Sequence, residues 1–559
     1  MDVSAVPSHH PTPWDAQFEP LALPDMFARS AAREPNAPLV HFMGRTYSYR
    51  EMLEEARAFA LALTARGIVP GDRVGLFLPN VPIYVSAYYG AMMAGAVVVN
   101  FSPLYTVGEL SAQVADSGTR LLVTVDVPEL YGTAEQVLHG TDLEKLVVGR
   151  LSAMLGKFKG IAMRLLARSK IAPVAYGASI LDWPELIARG AGAAAQLPKA
   201  SPDDLALLQY TGGTTGTPKG AMLTHANLSI NAQQVASLNP YGDPQDQVLM
   251  GALPLFHVFA NTAVLNHAVF VGASIAMVPR FETADVLKTL ARTGATGFPG
   301  VPTMFQALLD YPDLAPSDLS SLRICISGGA PLPAPLRDDF EQASGVRLVE
   351  GYGLTESSGV VSANPYEGMR KPGSIGQVLP RTEVLLLDKE NPTLLAPKGE
   401  PGELAIHGPQ VMQGYWNGPE AGARVFVEHR GKTWLRTGDV ATIDPDGYIT
   451  IVDRIKDMIA VGGFKVFPSQ VEAALLEHEL VKEALVLGMP DDYRGESPEG
   501  FVTLRIDDGS LTPEKLREWA NARLGKHERL AKITIRESLP KTMIGKLDRK
   551  ALRAQVLPG

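Results

Sequence analysis

A single cysteine, Cys325, rules out an internal disulfide and leads us to expect a reducing compartment. It sits in Leu322-Arg-Ile-Cys-Ile-Ser327, which reads as a buried strand, so a structural thiol is expected rather than a nucleophile. Long apolar runs are also missing. The weakly polar stretch from Ala263 to Val278 is interrupted by Asn266 and His267 and falls short of the ~20 residues needed to cross a bilayer. The first twenty residues mix prolines, histidines and acids without an apolar core, so no secretory signal is visible and a loose arm is expected. Net positive charge is absent: 51 Lys and Arg against 60 Asp and Glu leave −9, which argues against nucleic acid as the main partner. Together these absences predict a cytoplasmic protein without a transmembrane helix. There is no internal repeat, and no Walker loop, because the residues after Gly213 lead to Pro218 rather than to Gly-Lys-Ser/Thr.

What is present begins with Tyr210-Thr-Gly-Gly-Thr-Thr-Gly-Thr-Pro-Lys-Gly220. Its glycines let backbone N–H groups approach a ligand closely, its threonines add neutral donors, and Lys219 adds a point charge, a composition suited to a polyphosphate. At 559 residues more than one domain is expected. Strand-like runs (Arg73-Val-Gly-Leu-Phe-Leu, Ala96-Val-Val-Val-Asn, Leu121-Leu-Val-Thr-Val) alternate with helical segments, one opened by a capping box at Ser48 and Glu51. This pattern predicts α/β layers with mostly parallel strands. Val440–Ile443 and Tyr448–Val452 read as a hairpin turning at Asp446-Gly447, and the charged run from Asp453 suggests a domain boundary. The hundred residues beyond it suffice for a small domain, with a helix from Ser469 and a strand from Glu483. Between Arg150 and Lys170, six bases (Arg150, Lys157, Lys159, Arg164, Arg168, Lys170) alternate with Leu, Met, Phe and Ile, and no acid occurs from Gly149 to Leu181. Such a stretch reads either as an anionic membrane contact or as a solvated cap.

Seven further short motifs follow the 210–220 loop in order: Leu253-Pro-Leu-Phe-His-Val-Phe, Ser327-Gly-Gly-Ala-Pro-Leu, Glu350-Gly-Tyr-Gly-Leu-Thr-Glu, Trp434-Leu-Arg-Thr-Gly-Asp, Asp453-Arg-Ile-Lys-Asp, Gly462-Gly-Phe-Lys-Val-Phe-Pro and Pro540-Lys-Thr-Met-Ile-Gly-Lys. Each is weak alone. As an ordered set the chain resembles the adenylate-forming superfamily of acyl-CoA synthetases, adenylation domains and luciferases, and its motif wording is most similar to bacterial long-chain fatty acid–CoA ligases. The resemblance implies an α/β fold: a large multi-layer N-terminal domain (1–453) with mostly parallel sheets and a β-barrel-like part, a hinge (454–458), and a small mobile α+β domain (459–559). It implies ATP, Mg²⁺ and CoA, and a two-step reaction. A carboxylate attacks the α-phosphate to give acyl-adenylate and pyrophosphate; the CoA thiol then displaces AMP after the small domain rotates.

The resemblance also implies roles. Thr211, Gly212, Gly213, Thr214, Thr215, Gly216 and Lys219 would cradle the phosphates, with Thr215 and Glu356 serving Mg²⁺. Tyr352 would stack on adenine, with Gly329, Ala330, Pro331, Glu350, Gly351, Gly353 and Ile451 around the nucleotide. Thr355 would touch the α-phosphate, and Asp439 and Arg454 the ribose hydroxyls. Lys546 would bridge the substrate carboxylate and the α-phosphate, and His257 would lie at the acyl pocket, whose walls would draw on Phe256, Phe259, Val301 and Gly328–Pro331. Lys456 falls at the hinge position, where many relatives carry aspartate. Gly462, Gly463 and Phe464 would enter the site after rotation and line the pantetheine path. The expected partners are a medium- to long-chain fatty acid, ATP and CoA, with a peripheral membrane contact through 150–170 and a homodimer as further candidates. Rival readings are an acyl-AMP ligase loading a carrier protein, an aryl or short-chain acid ligase, and a non-catalytic lipid-binding protein. No carrier domain follows Lys546, which leans toward free CoA, and the presence of Lys546, Glu356 and Asp439 disfavours the non-catalytic reading.

Overall fold

The computed structural model describes residues 7–193, 196–211, 218–243, 246–462, 464–506, 509–542 and 546–557. Gly212, Gly213, Thr214, Thr215, Gly216 and Gly463 therefore lie outside the described residues. Among the described residues the strands form four sheets. Two are large and mixed. In the eight-stranded sheet the run from Leu205–Thr211 through Val97–Phe101, Arg73–Phe77, Thr119–Val125 and Lys145–Gly149 to Ile180–Asp182 is parallel. In the nine-stranded sheet Leu348–Tyr352, Ile324–Gly328, Gly297–Gly300, Val248–Gly251, Ser274–Met277 and Pro38–Phe42 are parallel, with antiparallel strands at the edges. Such strands are buried on both faces and read as continuous apolar runs. Val97–Phe101 and Ser274–Met277 are buried at every position, and Cys325 is a buried strand residue. The Ser48–Glu51 capping box forms as expected at the start of the helix Tyr49–Thr64.

The helix Pro82–Met93 is apolar on all sides and nearly every residue is buried, as a helix enclosed within the core must be. Its tyrosines carry the polar ends of that burial. Tyr84 donates to Asn100 at 2.8 Å, Tyr88 to Asn261 at 2.9 Å and Tyr89 to Asn266 at 2.8 Å. The last two fix the π-helical turn Asn261–Asn266 that follows the Leu-Phe-His-Val-Phe motif. Asn80 clamps the approach to the same turn, donating to the carbonyls of Gly251 and Leu253 and accepting from the Leu255 N–H.

The third sheet is antiparallel and spans 383–454; its long hairpin pairs Lys432–Ile443 with Ile449–Arg454 across a turn in which Gly447 has φ +78°. The fourth sheet takes all its strands from residues after 458, joined by the helices Pro468–Leu476, Pro513–Asn521 and Arg549–Val556. It has its own apolar core around Val471, Val486, Val502 and Leu516. Two exposed ion pairs, Lys482–Asp310 at 3.1 Å and Lys465–Glu390 at 3.4 Å, link this C-terminal unit to the rest.

One expectation fails. The described part of the N-terminal arm is not loose. His10 is buried, the Trp14 indole N–H donates to the Thr382 carbonyl at 2.8 Å, and the His9 N–H donates to Gln377 at 2.8 Å. Proline-rich composition signals absence of regular structure, but here the arm gains its order from hydrogen bonds to groups more than 360 residues away. No described helix is long and apolar enough to cross a membrane.

Candidate active site

Lys546 of the C-terminal unit meets the Ser327-Gly-Gly-Ala motif, and Tyr352 meets Asp439 and Arg454. Lys546 is placed by its own hairpin. Thr542 and Lys546 are mutually bonded, the Thr542 N–H donating to the Lys546 carbonyl at 2.6 Å and the Lys546 N–H to the Thr542 hydroxyl at 3.1 Å, while Lys541 bridges Leu547. Asp548 caps the next helix, and Arg549 ties that helix to Glu472 at 2.5 Å and to Asp457 in the 3₁₀ turn Ile455–Asp457 at 3.1 Å. From this base the lysine side chain reaches across to Gly329. A β-carbon at Gly329 would stand 2.4 Å from Cε and 2.7 Å from Nζ of Lys546, and this glycine has φ +80°, so both space and backbone call for glycine here. Burial, with Arg454 nearby, pulls the Lys546 pKa down to about 8, while Asp439 opposes the shift.

His257 lies within electrostatic reach of Lys546. Burial, then that ammonium, lowers its pKa to about 3, so its ring is neutral at working pH. Its Nδ1 accepts from the Phe259 N–H at 3.3 Å, which leaves the proton on Nε2 as a donor. Burial lifts the Glu350 carboxyl to about 8; its oxygen accepts from the Leu332 N–H at 3.3 Å, next to the Gly329-Ala330-Pro331 turn. Glu350 thus acts on that turn.

Asp439 and Arg454 are cross-strand partners in the long hairpin. Arg454 Nε donates to Asp439 Oδ1 at 2.7 Å and the Tyr352 hydroxyl donates to Oδ2 at 2.5 Å. The Tyr352 ring packs against the apolar cluster that includes Ile451 and Val361. Each carboxylate oxygen keeps a further lone pair for a ligand hydroxyl. Gly353 is pressed against the Gly359 carbonyl, where a β-carbon would be 2.0 Å away, and Gly351 lies against Ile326. Thr355 and Glu356 form the short 3₁₀ turn that follows.

Tyr415 is a residue that the motif reading missed. The strand Gly414–Tyr415 pairs with Ala221 and Met222, which brings the tyrosine beneath Lys219. Its ring centroid is 5.4 Å from Lys219 Nζ and its hydroxyl donates to Glu356 Oε1 at 2.7 Å. The available signal was a Gly-Tyr-Trp triplet after an apolar segment. Thr211 ends the strand Leu205–Thr211, opposite Lys219. Glu356 offers one carboxylate, and no described group of three or more His, Cys, Asp or Glu could hold a metal on its own. A site with one carboxylate and ligand phosphates fits Mg²⁺, which keeps waters and substrate oxygens in its shell.

Of the remaining described motif residues, Lys456 lies within electrostatic reach of Arg454 and Asp439, and burial lowers its pKa. It belongs to the 3₁₀ turn Ile455–Asp457. Gly462, with φ +57°, donates its N–H to the Arg494 carbonyl at 2.8 Å, and the exposed Phe464 stacks on His527 with centroids 3.6 Å apart.

The family described as AMP-binding enzyme matches residues 27–416, and its C-terminal domain matches 470–546. The chain belongs to the AMP-binding enzyme family. A long-chain-fatty-acid–CoA ligase of Bacillus subtilis is 37% identical over 552 residues, covering 97% of each chain. A 4-coumarate–CoA ligase of Solanum tuberosum is 33% identical, covering 92% of this chain and 90% of its own. Among solved structures, ATP-bound MatB from Rhodopseudomonas palustris superposes with a TM-score of 0.81 at 29% identity, covering 95% of this chain and 98% of its own. The anthranilate CoA ligase AuaEII with anthranoyl-AMP gives 0.83 at 27% identity, with 96% and 97% covered. The α/β architecture with a smaller C-terminal unit is therefore that of an AMP-binding CoA ligase.

Proposed function

We propose that this AMP-binding enzyme activates a medium- to long-chain fatty acid with ATP and transfers it to CoA. The observation that carries the reading is Lys546, delivered from the C-terminal unit onto Gly329 beside His257 and the Asp439–Arg454 pair. The long-chain relatives, full-length and up to 37% identical, support the substrate class.

In the first step a carboxylate oxygen of the acid bonds to the α-phosphorus and the bond to the bridging oxygen of pyrophosphate breaks. Two anions must approach, and Lys546 stands between them as a cation in a water-poor site, where fixed charge is most effective. The neutral His257 donates from Nε2 to the acid's carboxylate and orients it. Asp439 accepts from the ribose hydroxyls, held in place by Arg454 and Tyr352, and the Tyr352 ring supports adenine. Lys219 and Thr211 face the departing phosphates. Mg²⁺ supplies charge neutralisation of those phosphates when bound, with Glu356 positioned for it by Tyr415. In the second step the thiol sulfur bonds to the acyl carbonyl carbon, the bond to the AMP oxygen breaks, and the thiol proton is released. For this step the unit beyond a hinge at 454–458 turns, withdrawing Lys546 and presenting Gly462, Gly463 and Phe464.

The helix Lys157–Leu166 supports a membrane contact in a cytoplasmic setting. Phe158 is 91% exposed, Leu166 87%, Leu165 64% and Ile161 56%, with Lys159, Arg164, Arg168 and Lys170 around them. Arg150 is excluded from this face because it pairs with Asp182 at 2.8 Å. Exposed apolar side chains among bases match an anionic lipid surface.

The test of the reaction is pyrophosphate release with C4–C18 and aromatic acids, with and without CoA. Turnover of C12–C18 acids that requires CoA is expected. Turnover confined to benzoate or acetate would refute the substrate class, and acyl-adenylate release indifferent to CoA would favour a carrier-loading enzyme.

A further inference from the structure

Behind Phe259, on the side away from Lys546, a narrow cavity lies between the π-helical turn Asn261–Asn266 and the nine-stranded sheet. Its walls are apolar where Leu249, Pro299, Ile326 and Val360 face it, as an acyl site requires, whereas Phe256 and Val301 do not line it. The Phe259 ring closes the catalytic end: a β-carbon at Gly328 would be 3.1 Å from it. From there the cavity follows the strands from their catalytic C-terminal ends toward their N-terminal ends at Gln247, Gly297 and Ile324. Four residues of strand, Gly328 back to Ile324, correspond to about 13 Å.

The far end is not apolar. Among the described residues neither the amide oxygen nor the amide nitrogen of Gln247 has a hydrogen-bond partner, and neither does His267 Nε2. Both side chains line the cavity and are 6% exposed. His267 Nδ1 lies 3.3 Å from the Ala263 carbonyl and must donate to it, so Nε2 of the neutral ring is a bare acceptor. Burial keeps that ring neutral. Asn239 and Tyr366 also line the cavity, but its unpaired buried groups are a donor and an acceptor from Gln247 and an acceptor from His267, and no Lys or Arg lines it.

We propose that this cavity is an acyl site whose floor recognises a hydroxyl at or near the ω-end of the chain, so that the enzyme prefers ω-hydroxy fatty acids to methyl-terminated ones of matching length. This rests on the reading of the protein as a fatty acid–CoA ligase. A terminal hydroxyl can donate to His267 Nε2 while accepting from the Gln247 amide. A terminal methyl at the same depth displaces solvent and leaves those groups unpaired, which is the costly outcome for buried polar atoms. As it stands the cavity holds about 30 Å³, room for about two waters. A chain entering past Phe259 widens it, and only one carrying an oxygen gives those groups hydrogen bonds. Sites built to bond a hydroxyl discriminate strongly against analogues that lack it. An ω-carboxylate would arrive without a cation to meet it.

The experiment compares kcat/KM for acyl-CoA formation on paired n-alkanoic and ω-hydroxyalkanoic acids from C8 to C16, for the wild type and for Gln247→Met and His267→Leu. The ratio within each pair is read, so a variant that folds less completely still reports its specificity. We expect the hydroxy acid to lead by about tenfold or more at one chain length in the wild type, and each variant to collapse or reverse that lead. If alkanoic acids are turned over and lead at every length in the wild type, or if neither variant changes the ratio, the polar-floor assignment is overturned while the ligase reading stands. If neither series is turned over, the ligase reading itself has failed and the assignment with it.

Discussion

Lys546 is expected to leave a signature in the pH profile. Its depressed pKa of about 8 means that the free enzyme carries the ammonium below that pH and loses it above. The kcat/KM of adenylate formation should therefore fall on an alkaline limb near pH 8. Lys546→Arg, which stays charged, should be slower but lack the limb. Glu350 also titrates near 8, so Glu350→Gln serves as the control and should leave the limb in place. A limb that survives Lys546→Arg and vanishes in Glu350→Gln would transfer the titration to the buried carboxyl. Asp439→Ala removes the acceptor shared by Tyr352 and Arg454 and should raise the KM for ATP by about tenfold or more, measured by pyrophosphate exchange; an unchanged KM would remove Asp439 from the ribose site. The residues of these two predictions were named by short motifs, because the resemblance attaches roles to single positions. Tyr415 was not, because its contact with Glu356 depends on pairing between strands some 190 residues apart, and no local pattern records that.

The helix Lys157–Leu166 makes a prediction of its own. Bases near an anionic bilayer contribute about 1 kcal/mol each, less as salt screens them, and its exposed apolar residues add insertion. Wild-type protein should pellet with phosphatidylglycerol vesicles at low salt, and a variant with Phe158, Leu165 and Leu166 changed to Ser and with Arg168 and Lys170 changed to Glu should not; equal pelleting would make the helix a solvated cap. Its basic, acid-free composition was legible in the chain, but the split between exposed Phe158 and Leu166 and buried Met154 and Leu155 was not, since it depends on which turn packs on the domain. Capping chemistry is local, so Ser48 and Glu51 marked their helix correctly. The π-helical turn Asn261–Asn266 left no periodicity to read: it is held by tyrosines from another helix, through Asn261 and Asn266. For the same reason the N-terminal arm looked loose.

Alternating strand and helix patterns made the layered α/β architecture legible, because both faces of a parallel sheet must be covered. Which strands neighbour one another was not legible, nor that the last hundred residues would set a lysine onto a glycine over 200 positions earlier. In the proposed cycle that placement is the first of two orientations. Ion pairs as exposed as Lys482–Asp310 and Lys465–Glu390 are each worth about 0–1 kcal/mol, so they place little restraint on the rotation proposed for thioester formation. The most direct test separates the two half-reactions in Lys546→Ala. Loss of a fixed transition-state donor typically costs about 10²–10³ in rate, so adenylate formation, followed by pyrophosphate exchange, should fall by that much, while acyl-CoA formation from supplied acyl-AMP stays near the wild-type rate. Equal loss in both half-reactions would contradict a lysine that serves only the first step and leaves before the second.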